Sequence, residues 1–159
     1  MATSTVSALD PSAWALISTT TIATSATTQT ISGLNGVYKE LRIAWRITSG
    51  NDYLGLRFNG DSNDNYSGTA LTPDFLSTVN QTKTAIWLGQ TSASTHIGFA
   101  DWENCNLTLP KICTRSLDTV GFGGNGIYVG TSAITSVSLV NLSNGNISAG
   151  GTIWLWGKI

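Results

Sequence analysis

Residues 38–49 alternate with a period of two: Leu41, Ile43, Trp45 and Ile47 occupy one set of positions, and Arg42, Ala44, Arg46 and Thr48 the other. Successive side chains of an extended chain point to opposite faces, so this run predicts a long strand with one face in a core. No stretch carries sustained apolar residues at i, i+3, i+4 and i+7, the mark of an amphipathic helix. Thr, Val, Ile and Trp, which fit a pleated surface, supply the propensity instead. A chain built this way must fold as sheet.

The same alternation recurs in residues 53–58, where Leu54, Leu56 and Phe58 share a face, and Asn51 and Asp52 between the two runs predict a hairpin. Further strands are expected at residues 13–18, 27–32, 82–90, 95–109, 126–130, 134–142 and 152–159, each bounded by Gly, Asn, Asp or Pro clusters. Residues 71–79, after Pro73, are the one place for a short helical turn. Seven to nine strands at spacings near ten residues predict an all-β fold, a single-domain antiparallel β-sandwich of the jelly-roll kind. Residues 1–26 are polar and weakly periodic, and are read as an extended N-terminal arm that a partner orders; residues 27–159 are read as the sandwich.

Charged residues make up only 11% of the 159-residue chain, less than half the share of an ordinary soluble domain. Eight Lys and Arg stand against nine Asp and Glu, and no charge lies between Thr119 and Gly157. So balanced a surface has no long-range field to gather nucleic acid or an anionic membrane. The first residues carry no basic cluster followed by an apolar run, so no secretory leader is expected, and Ser and Thr interrupt every candidate span. These features predict a chain made soluble in the cytoplasm, without membrane insertion.

Residues suited to acid, base or nucleophile chemistry are few. The one histidine, His96, is placed by alternation opposite Ile97 and Phe99, on an outer face. Asp101 and Glu103 share a face about 7 Å apart, a spacing a glycosidase pair can use. Nothing else supports catalysis, and charges that discourage edge pairing are the plainer account. In Asn59-Gly60-Asp61-Ser62-Asn63-Asp64-Asn65-Tyr66, the positions Asp61, Asn63 and Asn65 match the opening of a calcium loop, but Gly is missing at the sixth place and Glu at the twelfth. A turn held by its own side chains is expected there. Cys105 and Cys113 could bridge a hairpin near Pro110 or stay as thiols. No enzyme activity, cofactor or metal is expected.

Six tryptophans are spread over the predicted strands, in core or interface positions or as platforms for sugar rings. Trp154 and Trp156 share one face of the last strand and Ile153 and Leu155 the other, so that strand should be covered on both sides. Trp14, Ile22, Trp154 and Trp156 are the candidate partner-binding residues.

Three segments together carry a resemblance. Leu56-Arg57-Phe58-Asn59-Gly60-Asp61 leading to Asn65-Tyr66, then Thr131-Ser132-Ala133-Ile134-Thr135-Ser136-Val137, then Gly150-Gly151-Thr152-Ile153-Trp154-Leu155-Trp156-Gly157 resemble small virion proteins of tailed bacteriophages. The likeness runs through residues 27–159, with Trp156 where Tyr is usual and Lys158 separating Gly157 from Ile159. It implies a β-sandwich on the virion surface, commonly a homotrimer, serving as capsid decoration, head fibre or tail-fibre tip. The expected partners are further copies of the chain and the major capsid protein or another virion protein, with a host surface glycan in the fibre-tip case. A free carbohydrate-binding module is the alternative.

Overall fold

A computed structural model of the chain describes residues 13–49, 53–71, 78–90, 95–118 and 123–159. Among these are twelve strands: β1 (Ala15–Thr21), β2 (Thr28–Ser32), β3 (Glu40–Thr48), β4 (Tyr53–Phe58), β5 (Tyr66–Leu71), β6 (Thr78–Lys83), β7 (Ile86–Gln90), β8 (Thr95–Glu103), β9 (Lys111–Asp118), β10 (Gly123–Tyr128), β11 (Ser136–Asn141) and β12 (Thr152–Lys158). They form two antiparallel sheets, one ordered β1-β12-β3-β8-β9-β10-β5-β6 and one ordered β2-β11-β4-β7. No described helix is long and apolar enough to cross a membrane.

The order has a simple logic. β1-β12-β3-β8 faces β2-β11-β4-β7, and the chain passes from one sheet to the other between β1 and β2, β2 and β3, β3 and β4, β4 and β5, β6 and β7, β7 and β8, β10 and β11, and β11 and β12. That is the interleaving of an eight-stranded jelly roll. Two inserted pairs, β5–β6 and β9–β10, extend the first sheet from four strands to eight. The fold class is therefore as the alternation predicts, with more strands than expected.

Several local expectations are corrected. Residues 38–49 and 53–58 do not form a hairpin: β3 pairs with β12 and β8, whereas β4 lies in the other sheet against β11 and β7. Both runs have an apolar face, and burying those faces against each other across the sandwich removes more apolar surface from water than pairing them edge to edge. The expected strand 82–90 is broken at Thr84 and Ala85, and 95–109 ends at Glu103, beyond which Asn104 takes a left-handed backbone (φ 62°). The expected helical turn falls largely on residues 72–77, outside the described residues, while Leu71 ends β5 and Thr78 and Val79 open β6. The sandwich also begins before residue 27, because β1 pairs along β12 and Ala26 bridges Ile147. Of the expected arm, residues 1–12 lie outside the described residues.

The core between the sheets joins Leu41, Ile43, Trp45 and Ile47 of β3 and Ile153 and Leu155 of β12 to Leu54, Leu56 and Phe58 of β4, with Val137 and Leu139 of β11. Phe58 meets Trp102 edge-on, with ring centroids 4.6 Å apart, tying the two layers at their centre. His96 belongs inside: it is 0% exposed, whereas Ile97 is 50% exposed, so the face expected for β8 is reversed. Trp102, Ala100 and His96 share the inward parity, and Trp102 against Phe58 sets it.

Candidate functional site

Two of the three motif segments, residues 56–66 and 131–137, meet at one corner. Asp61 N–H donates to the Phe58 carbonyl (2.9 Å), and both central residues, Asn59 and Gly60, have positive φ (52° and 68°). Asn-Gly is the pair that tolerates this left-handed turn best. The Asn59 amide then reaches the second motif segment. Its Nδ2 donates to the Ala133 carbonyl (2.9 Å), and its Oδ1 accepts from Thr135 N–H (2.7 Å), Thr135 Oγ1 (3.1 Å) and Ser136 N–H (3.2 Å).

The Asp61 carboxylate is filled by donors of the chain itself. Oδ1 accepts from Asn63 N–H and Nδ2, both at 2.9 Å, and Oδ2 from Asn65 Nδ2 (2.7 Å) and the Tyr128 hydroxyl (3.1 Å). Partial burial pushes its pKa up, but the hydrogen bonds from Asn65, Asn63 and Tyr128 outweigh it and hold the group below the ordinary carboxylate range. The same environment raises the Tyr128 phenol to about 12, burial first and the Asp61 contact second. The residues that matched a calcium loop thus staple a turn.

Lys111 opens β9 and is fully buried, with its ammonium donating to the carbonyls of Leu107 (2.6 Å), Leu109 (2.6 Å) and Gly130 (3.3 Å). Three donors meeting three acceptors are what a buried ammonium needs. Burial still pushes its pKa below the usual lysine value. This clamp draws the 104–110 hairpin against the end of β10. Around it stand five exposed apolar side chains: Leu107, Leu109 (52% exposed), Ile112, Ile127 and Val129 (48%). Ile112 and Ile127 are cross-strand partners, so they share one face of the sheet extension. Charge balance gave no hint of this patch; its signal in the sequence was the uncharged segment that contains Ile127 and Val129.

A second feature lies on the outer face of the jelly-roll half of the same sheet. Trp14, Arg42, Ala44, Phe99 and Trp156 line an open groove of about 380 Å³. Arg42 pairs with Asp101 through two bonds, Nε to Oδ1 (2.6 Å) and Nη2 to Oδ2 (2.8 Å), and its guanidinium lies 4.7 Å from the Trp14 ring centre. Lys158 pairs with Glu40 (3.0 Å) and also approaches Trp14 (4.8 Å).

The candidate residues therefore separate. Trp14 and Trp156 come together in the groove, and Trp154 is half-buried on the same face, in register with Thr19 and Ala44. Ile22 is 2% exposed and packs in the core, so it offers nothing to a partner. It closes the sandwich beside Gly151, and its backbone pairs with Gly150 and Gly151. Asp101 serves Arg42 rather than a shared acid–base site with Glu103, which is exposed. Cys105 and Cys113 are both buried, and burial raises the Cys105 thiol to about 12. No family model, curated protein or solved structure matches this chain.

Proposed function

We propose that the chain is a structural virion protein of a tailed bacteriophage, a homotrimeric capsid decoration protein that binds the outer surface of the particle through the major capsid protein. One observation carries the reading: the exposed apolar side chains Leu107, Leu109, Ile112, Ile127 and Val129, carried by β9, β10 and the segments next to them around the Lys111 clamp. Scattered exposed hydrophobics are ordinary, but a cluster of five large ones on one rigid surface marks a protein–protein contact. A second copy is the occupant. A heterologous contact repeated around a threefold axis closes into a ring, which is how one patch serves three chains. The likeness of the motif segments to virion proteins supports the setting.

Light scattering at micromolar concentration tests it. Three chains are expected for the wild type, and one chain for Ile127→Asp combined with Val129→Asp, whose outward side chains leave the fold and far-UV spectrum intact. A wild-type monomer overturns the trimer. Particles stripped of the protein should take the trimer back at high salt, since a chain with only 11% charged residues offers a partner little that salt can screen; binding lost at moderate salt overturns this weakly ionic mode of attachment.

A further inference from the structure

We infer that the groove lined by Trp14, Phe99 and Trp156 is a binding site for a neutral saccharide. The groove lies on β12, β3 and β8, in the same sheet as the β9–β10 patch but lined by none of its residues, so the inference rests on its own observations.

The shape comes from the outer-face pattern. Ala44 stands between Arg42 and Arg46 on β3, opposite Phe99 of β8 and Trp154 of β12. A methyl group among large neighbours leaves a depression, and aromatic rings from three separate elements wall it. Its 380 Å³ lies within the range of small-molecule sites.

Charge selects the ligand class. Arg42, which lines the groove, is already paired with Asp101, and Lys158 near Trp14 with Glu40, while Arg46, two residues beyond Ala44, lines a separate depression with Thr48 and Thr95. An anion would have to displace Asp101 from a two-point pair, which is the strong geometry for arginine. A cation seeking the aromatic faces would meet Arg42, which lies over the Trp14 and Phe99 rings, and Lys158, which lies over Trp14. A wholly apolar ligand would keep one side in water, because the groove is open along the sheet. An uncharged polyol brings no charge into conflict with these groups: its C–H face packs on the Trp156 indole, over which no cation lies among the described residues, and its hydroxyls reach the polar edges of the Arg42–Asp101 pair and solvent together.

The probe is a printed array of neutral oligosaccharides of glucose, galactose, mannose and N-acetylglucosamine, with sialylated and sulfated glycans alongside. Retention of at least one neutral glycan is expected, and Trp156→Ala and Phe99→Ala should each weaken it at least tenfold while keeping the wild-type oligomeric mass. Two variants on opposite walls guard against one failing to fold. With the retained glycan in solution, the indole N–H resonances of Trp14 and Trp156 should shift, and those of the core residues Trp45 and Trp102 should not. No neutral glycan retained, preference for the sialylated or sulfated glycans, or unchanged binding by both variants would overturn the inference.

Discussion

Replacing Lys111 with Met removes one ammonium and keeps the aliphatic stem, so it isolates the clamp beneath the apolar patch. Three carbonyls lose a charged donor. A hydrogen bond to a charged group contributes about 1.5–3 kcal/mol net, and a buried acceptor left alone costs about 1–3 kcal/mol. Against this, burying an ammonium itself costs several kcal/mol, which Met escapes. Leu107 and Leu109 sit in an exposed hairpin, whose carbonyls can turn to water once released, and the bond to Gly130 is the longest of the three. The balance is a loss of about 3 kcal/mol, or roughly 6–12 °C in melting temperature for a chain of this size. Calorimetry at a fixed protein concentration reads the shift, since an oligomer's midpoint depends on concentration. The variant should also dissociate at higher concentration than the wild type, because Leu107, Leu109 and Val129 are no longer held together. A melting temperature within about 2 °C of the wild type, or above it, would refute the reasoning by showing that desolvation of the ammonium cancels its bonds.

Leu155→Ala, at a fully buried position of β12, should cost about 2–5 kcal/mol by urea denaturation, whereas Trp156→Ala, one residue on and outward-facing, should cost less. Equal losses would mean that the outer face of β12 is as closely packed as the core. Because the folded-state pKa of Asp61 is depressed, its contribution is full above about pH 4 and is lost as pH falls through the lower folded value. Asp61→Asn should therefore lower the urea midpoint at pH 7 and lower it less at pH 3, and a chelator should leave the wild-type midpoint unchanged. Native protein should resist iodoacetamide at both cysteines, with both labelled in guanidinium, because buried neutral thiols are poor nucleophiles; mass spectrometry counts the adducts.

Strand parity in β3, β4 and β12 was legible in the sequence because those strands have one face in a core, and burial of that face writes a period of two into the residues. The all-β class and the turn at Asn59 follow from equally local physics, alternation in one case and left-handed backbone in the other. His96 shows where local reading ends. Its neighbours Ile97 and Phe99 are more apolar, so alternation alone sends them inward, yet Trp102 against Phe58 of the opposite sheet fixes β8 the other way round. Sheet membership was likewise a long-range decision: residues 38–49 and 53–58 are adjacent in sequence but lie in facing layers. The functional surfaces depend on such decisions most of all. Trp14 and Trp156 are far apart in the chain and become neighbours through the pairing of β1 with β12, and Lys111 gathers the backbones of two loops that no spacing rule connects. Sequence patterns record which side of a strand meets water, because that is settled residue by residue; which strands become neighbours is settled by the burial of whole faces, and only the folded chain shows it.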